Sequence, residues 1–181
     1  MIYTARMRLR LTLLAIGFIG MTGAAIAIGV HEVLSAPTGI VVARVVDGDT
    51  LKVRFPDGHE DTVRVIGIDT PETVDPRKPV QCFGHEASNH TKALLTGKTV
   101  TLDSEPGTDR DKYGRLLRYV EYDGEDIGAD MITEGYAFSY KIFPHPRLTE
   151  YNTLEETARA EKKGLWGTCK VQTDGEYEQS Q

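Results

Sequence analysis

Acidic, basic and hydroxyl side chains are concentrated in the stretch RVIGIDTPET, where Arg64, Asp69, Thr70 and Glu72 lie within nine residues. A proline inside the stretch stiffens the turn that carries them. Asp49, in the turn sequence VDGD, adds a second carboxylate at the end of a strand-like run. Two carboxylates and the Thr70 carbonyl are hard oxygen donors of the kind that Ca²⁺ prefers, and the turn places Glu72 a few residues beyond a possible metal ligand. For VDGD taken alone, the alternative is that each aspartate only caps a turn.

Two arginines accompany the acidic residues. Arg64 precedes the acidic turn, and Arg115 lies in DKYGR. Arginine stays charged and can bind phosphate oxygens through two parallel hydrogen bonds. Considered alone, Arg64 is more often a solvated strand residue. The significance of Arg64 therefore comes from its proximity in sequence to the acidic residues and from the second arginine.

Hydrophobic patterning predicts the elements that hold these residues. The runs GIVVARVV, TLKVRF and DTVRVIGI are separated by turn sequences and predict three antiparallel strands. HEASNHTKALLTG predicts a helix, KTVTLD and RLLRYVEYDG predict two more strands, and DIGADMITEGYA and RLTEYNTLEETARAEKKG predict two further helices. A helix between the third and fourth of five strands is the order of an OB-type barrel. The predicted class is therefore α+β, mainly β: a five-stranded OB-type barrel with about three packed helices.

The first thirty residues differ from the rest of the chain. Three arginines lie within the first ten residues, and no charged residue occurs from Leu11 to Val30. This pattern predicts an N-terminal hydrophobic helix that acts either as a cleaved signal peptide or as a membrane anchor. We expect residues 1–36 to form this segment and a short linker, residues 37–169 the folded domain, and residues 170–181 a disordered acidic tail. The protein would then be secreted or held at the extracellular face of the cell membrane.

Charge and cysteine content narrow the possible functions. The formal net charge is −6, and it becomes −9 without Met1–Val30, because that segment contributes three arginines and no acidic residue. Broad attraction to a polyanion is thereby excluded, so binding of nucleic acid needs a local basic cluster or a bound cation.

Cys82 and Cys169 are the two cysteines of the chain. Without a CxxC pair they make a poor zinc site, and in an exported domain a single disulfide is the economical interpretation.

Five motifs carry a resemblance to a known family. VVDGDTLKV, VRVIGIDTPET, FGHEAS, DKYGR and GLW occur in an order and spacing that resemble the thermonuclease family, also called staphylococcal-nuclease-like domains. The resemblance runs from about residue 39 to residue 167, and IDTPET and DKYGR are its most specific parts. It implies a Ca²⁺-dependent phosphodiesterase on an OB-type barrel that cuts DNA and RNA with little sequence preference and leaves 3′-phosphate ends.

The resemblance also implies roles for individual residues. Asp49, Asp69 and the carbonyl of Thr70 would hold calcium, and Glu72 would orient or deprotonate the attacking water. The residues that would contact phosphate groups are Arg64 and Arg115, at the phosphoryl oxygens of the reacting group, and Lys112 and Tyr113, at a neighbouring phosphate. The family also includes members in which a cysteine placed like Cys169 pairs with one placed like Cys82.

One segment departs from the family pattern. The two positions that are tyrosines in the best-known member correspond, by ungapped counting, to Lys141 and Phe143. We expect Phe143 to retain base stacking and Tyr140 to substitute if the loop is shifted. This departure concerns substrate preference rather than the type of reaction.

Two other functions compete with the enzyme hypothesis. Barrels of this family also occur as inactive modules that bind partners, and such modules typically lose the charged site residues. Here Asp49, Arg64, Asp69, Glu72 and Arg115 are all present. A calcium site that only stabilises the fold would leave the arginines and the glutamate unexplained. We expect a monomeric nuclease.

Overall fold

The computed structural model describes residues 38–77, 79–107 and 109–171. The predicted N-terminal hydrophobic helix and residues 172–181 of the predicted acidic tail therefore lie outside the described residues. Within the described ranges, no helix is both long and apolar enough to cross a bilayer.

A closed barrel of five strands forms the centre of the described domain. These strands are β1 (Ile40–Asp47), β2 (Thr50–Arg54), β3 (Glu60–Val65), β5 (Thr99–Asp103) and β6 (Leu116–Tyr122). β1 pairs antiparallel with β2 and β5, β2 with β3, and β5 with β6. The parallel pairing of β3 with β6 closes the barrel. The predicted OB-type fold is confirmed.

Three short strands supplement the barrel. β7 (Glu125–Asp126) extends the sheet at β6, and β4 (Ile68–Asp69) pairs antiparallel with β8 (Phe138–Ser139). The prediction that Ile68 continues the third strand is wrong. β3 ends at Val65, and the chain turns at Gly67, whose φ of 79° favours glycine. A β-carbon at Gly67 would also lie 2.5 Å from the His145 ring.

The predicted helices pack around the barrel. α1 (Gly84–Leu95) follows the loop after β4, α2 (Ile127–Thr133) follows β7, and α3 (Leu148–Ala160) leads to the short α4 (Leu165–Thr168). Asp126 caps α2, because its side chain accepts hydrogen bonds from the amides of Gly128 and Ala129.

The hydrophobic core lies inside the barrel and beneath α1, α2 and α3. Alternating strand residues such as Leu51, Val53 and Val63 are fully buried, as the period-two pattern of a strand requires. Tyr151 of α3 is also fully buried, and its hydroxyl donates to Asp126 over 2.8 Å. α3 is thus held by apolar packing and by a partly buried hydrogen bond to the residue that caps α2.

A disulfide joins Cys82, just before α1, to Cys169, just after α4, with the two Cα atoms 5.9 Å apart. The disulfide expected from the sequence is therefore present. Three residues before Cys169, Trp166 of α4 packs edge-to-face with the ring of Phe138, with ring centres 4.9 Å apart. The C-terminal segment is consequently held both by packing and by a covalent bond.

Candidate active site

The turn between β1 and β2 presents Asp49 to one end of the barrel. Asp49 is only 7% exposed. Its Oδ2 accepts hydrogen bonds from the amide (3.0 Å) and the hydroxyl (3.1 Å) of Thr70, and its Oδ1 accepts one from the hydroxyl of Thr50 over 2.9 Å. The ends of two separate strands therefore meet at this point.

Arg64 of β3 connects the two predicted calcium-binding carboxylates. Its Nη2 lies 3.1 Å from Asp49 Oδ2 and 2.9 Å from Asp69 Oδ1. Its Nη1 donates to the carbonyl oxygens of Val65 and Ile68, each over 2.8 Å. The two carboxylate oxygens therefore lie no farther apart than the sum of their distances to Nη2, about 6 Å. Because backbone oxygens hold the guanidinium, its direction is fixed before any substrate binds.

Gly48 allows Thr70 to approach the β1–β2 turn. A β-carbon at Gly48 would lie 2.8 Å from both Cγ2 and Oγ1 of the Thr70 side chain. Below the turn, the buried hydroxyl of Thr91 in α1 donates to the Gly48 carbonyl over 2.9 Å. The contact between Asp49 and Thr70 thus depends on a small residue at position 48 and on support from α1.

The donor atoms at this end of the barrel are chemically suited to a hard cation. Asp49 and Asp69 bring their carboxylates to the same guanidinium nitrogen, and the backbone of Thr70 adjoins them. In the described ranges, no group of three or more His, Cys, Asp or Glu side chains could hold a metal. The predicted set has only two acidic side chains and one backbone carbonyl, so it does not depend on such a group. Its oxygen chemistry fits Ca²⁺ better than a softer ion.

Glu72 is oriented by the loop that follows it. Its Oε1 accepts hydrogen bonds from the amides of Thr73, Val74 and Asp75, at 2.9, 2.7 and 3.0 Å. Its own amide donates to the side-chain oxygen of Gln81 over 2.7 Å. The carboxylate is therefore held in a defined direction by the backbone of its own loop.

Asp47 is an acidic residue of the site that sequence reasoning treated only as a turn former. It is buried, and its Oδ1 accepts from the Gly48 amide (2.9 Å) and the Thr73 hydroxyl (2.6 Å). Burial raises the pKa of Asp47. The hydrogen bonds from Thr73 and Gly48 oppose this effect, and the nearby charges of Asp49 and Glu72 add to it. The signal available in the sequence was its position in VDGD, two residues before the predicted calcium ligand Asp49.

Arg115 reaches the same end of the barrel from the turn before β6. Its Nε donates to Asp111 Oδ2 over 2.7 Å, and its Nη1 donates to the Thr50 hydroxyl over 3.4 Å. Burial alone would raise the pKa of Asp111, but hydrogen bonds from the Arg115 side chain and from the amides of Arg115 and Tyr113 outweigh it and lower that pKa. Since Thr50 also binds Asp49, Arg115 is linked to the aspartates through one hydroxyl group.

Lys112 and Tyr113 form an exposed rim beside Arg115. The Tyr113 ring is 70% exposed, with Lys112 Nζ 5.0 Å and Arg115 Cζ 5.4 Å from its centre. A flat aromatic face flanked by two cations suits contact with a base and a phosphate of a nucleic acid strand.

The loop after β8 presents Tyr140 rather than Lys141 towards Arg64. The Tyr140 ring centre lies 5.9 Å from Arg64 Cζ and 5.9 Å from the Phe143 ring, which is 65% exposed. Lys141 instead forms an ion pair with the buried Glu155 of α3, with Nζ and Oε1 3.0 Å apart. The expected substitution by Tyr140 is thus compatible with the geometry of this loop.

His145 anchors the far end of this loop. Its Nδ1 lies 3.0 Å from the hydroxyl of Tyr119 on β6, and its ring packs over Gly67. Burial lowers the pKa of His145; Glu105 opposes this effect and Arg147 adds to it. The ring is therefore held between Tyr119, Gly67 and Tyr151.

Comparisons with known proteins agree with this architecture. A family model described as staphylococcal nuclease homologue matches residues 62–168. The SPbeta prophage-derived endonuclease YokF of Bacillus subtilis is 39% identical over 137 residues, which cover 75% of this chain and 46% of that protein. Endonuclease YncB of the same organism is 37% identical over 129 residues, covering 70% and 61% of the two chains.

The thermonuclease of Staphylococcus intermedius is 46% identical over 129 residues, covering 69% of this chain and 73% of that protein. By contrast, the matches span only about half to three-fifths of the two Bacillus endonucleases. The family model covers more than half of the sequence and includes the Arg64, Asp69 and Glu72 positions. Family match, barrel topology and site geometry lead to one conclusion: the chain belongs to the staphylococcal nuclease family.

Proposed function

We propose that this chain is a Ca²⁺-dependent nuclease that hydrolyses phosphodiester bonds in DNA and RNA with little sequence preference and leaves 3′-phosphate ends. The observation that carries the proposal is the contact of Asp49 and Asp69 with one nitrogen of Arg64, with Glu72 on the adjoining loop. This arrangement supports the proposal, in which cation ligands, a phosphate-binding group and a base would lie at one end of the barrel.

Asp49, Asp69 and the carbonyl of Thr70 are the proposed calcium ligands. Bound there, Ca²⁺ would supply positive charge to a phosphoryl oxygen. Arg64 has a guanidinium already fixed by backbone oxygens, so it can bind a second phosphoryl oxygen without first becoming ordered. Arg115 approaches from β6 and would stabilise the charge that grows on the reacting phosphate.

Glu72 is the proposed base. Its Oε1 is bound by three backbone amides, which fixes the direction of the carboxylate relative to a water molecule. The water would transfer a proton to Glu72 while its oxygen attacks phosphorus, and the 5′ oxygen would depart from the opposite side. The product strand would therefore keep its phosphate on the 3′ oxygen.

Substrate contacts are proposed for the two exposed rims. Lys112 and Tyr113 would bind a neighbouring phosphate, while Tyr140 and Phe143 offer rings on which bases can stack. Because the chain after Val30 is acidic, binding depends on these local groups and should weaken steeply as salt concentration rises.

An extracellular location remains part of the proposal. The disulfide between Cys82 and Cys169 favours an oxidising compartment, and the hydrophobic N-terminal sequence favours export or anchoring. We propose a secreted or membrane-anchored protein that acts as a monomer.

The test is digestion of single-stranded DNA, double-stranded DNA and RNA by the purified chain, with calcium and then with excess chelator, followed by identification of the product ends. Glu72→Gln should lower kcat by about 10²- to 10⁴-fold, because it removes the base while keeping the shape. Glu60→Gln is a matched control, since Glu60 forms an exposed ion pair with Arg54 on the barrel surface.

Each arm of this experiment can contradict a different part of the proposal. Absence of cleavage by the folded, oxidised protein in calcium would favour a non-catalytic binding module. Full activity of Glu72→Gln would favour a cation site with only a structural role. Cleavage that persists in excess chelator would refute the calcium requirement.

A further inference from the structure

The loop after the proposed base is closed by a reciprocal pair of hydrogen bonds. The Glu72 amide donates to Gln81 Oε1 over 2.7 Å, and the Gln81 amide donates to the Glu72 carbonyl oxygen over 3.0 Å. Gln81 therefore binds the backbone of Glu72 on both sides of its Cα atom. Since the Glu72 carboxylate is bound by the amides of the next three residues, the backbone of this loop determines where the carboxylate points.

A disulfide at the next residue restrains the backbone of Gln81. The next residue, Cys82, forms the disulfide with Cys169 at the end of α4. The Gln81 carbonyl also accepts a hydrogen bond from Gly84, the first residue of α1, over 3.0 Å. Gln81 thus connects the proposed base, Glu72, to the disulfide and to the start of α1.

The start of α1 packs directly against the backbone of the base. A β-carbon at Gly84 would lie 3.1 Å from the carbonyl oxygen of Pro71 and 3.2 Å from that of Glu72. Because Gly84 lies close to these carbonyl groups and Gln81 is hydrogen-bonded to Glu72, we expect movement of the Gln81–Gly84 segment to displace Glu72.

We propose that Gln81 is a positioning residue for Glu72, and that the Cys82–Cys169 disulfide keeps Gln81 in place, so that catalysis weakens when the disulfide is reduced. This inference rests on the proposed function, in which Glu72 is the base. A base must lie within hydrogen-bond reach of the water that it deprotonates, and small displacements from that geometry lower the rate strongly. Gln81 itself touches neither water nor substrate in this scheme.

The first arm of the test removes the side-chain acceptor. Gln81→Met keeps the length of the side chain but loses the amide oxygen, and we expect kcat to fall about tenfold with KM unchanged. Gln81→Glu restores an acceptor for the Glu72 amide and should retain kcat within about threefold of the wild type. Arg54→Met is the matched control, because it removes a long polar side chain from an exposed ion pair at the far end of β2.

The second arm reduces the disulfide under conditions in which circular dichroism shows a folded protein. Reduction of the full chain should lower kcat about tenfold. In the Gln81→Met variant, reduction should lower kcat little further, because the effects of two changes that act through the same contact do not add. Hydrogen exchange provides a readout independent of activity: after reduction, exchange of the Glu72 and Gln81 amides should accelerate by a larger factor than exchange of the β2 amides, which follows only the loss of global stability.

The outcomes separate this inference from the function on which it rests. An oxidised wild type that does not cleave nucleic acid with calcium overturns the proposed function. An active wild type whose kcat is unchanged by Gln81→Met overturns the role of Gln81 alone, as does a change confined to KM. Fully additive losses from Gln81→Met and reduction overturn the link to the disulfide, as does exchange of the two amides that accelerates no more than exchange of the β2 amides.

Discussion

Removal of the disulfide offers a stability test whose size follows from the structure. The bridge joins residues 87 positions apart, so the double variant Cys82→Ser/Cys169→Ser frees a long loop in the unfolded chain. Loop-closure entropy for this length corresponds to about 4 to 5 kcal/mol of unfolding free energy at 25 °C. For a domain of this size, such a loss lowers Tm by roughly 15 °C.

Urea unfolding followed by circular dichroism is the assay. The wild type in reductant should match the double variant, because both lack the same covalent bond. The m-value should also rise relative to the oxidised wild type, since the unfolded chain becomes less compact. A loss below about 1 kcal/mol would refute the reasoning, because it would mean that the bridge barely restricts the unfolded chain or is strained in the folded one.

Three further predictions concern the site and its support. Gly48→Ala places a methyl group 2.8 Å from the Thr70 side chain and should lower the unfolding free energy by about 1 to 3 kcal/mol; an unchanged urea midpoint would contradict this. Because burial lowers the pKa of His145 below its ordinary 6.5, the unfolded chain binds more protons, and stability should fall as the pH drops from about 6.5 through the lowered pKa. His145→Gln should flatten that slope, and an equal slope in both proteins would assign it to other groups. Arg64→Lys keeps the charge but cannot bind two backbone oxygens and two carboxylates together, so kcat should fall about 10²- to 10³-fold; a loss below tenfold would show that charge alone suffices.

Elements with a strong local signal were predictable. Strand and helix positions agree with the apolar periodicity to within a few residues, as for the helix predicted in HEASNHTKALLTG and found at Gly84–Leu95. The break after Val65 was not predicted. Gly67, at this turn, lies against the ring of His145, which is far away in sequence. The role of Asp47 was missed for a similar reason, since Thr73, its partner in the fold, is 26 residues away.

The sequence by itself determined which residues could do chemistry and which order of strands could hold them. Periodicity and turn residues act over a few positions, so they define a five-stranded barrel and place Asp69 and Glu72 on one turn. Only the tertiary structure decided which of these groups meet. Asp49 contacts Thr70 across 21 positions and Arg115 contacts Thr50 across 65, and Tyr140 rather than Lys141 faces Arg64 because Glu155 binds the lysine. Such contacts depend on closure of the barrel by β3 and β6 and on competing partners for each side chain, which no local pattern encodes.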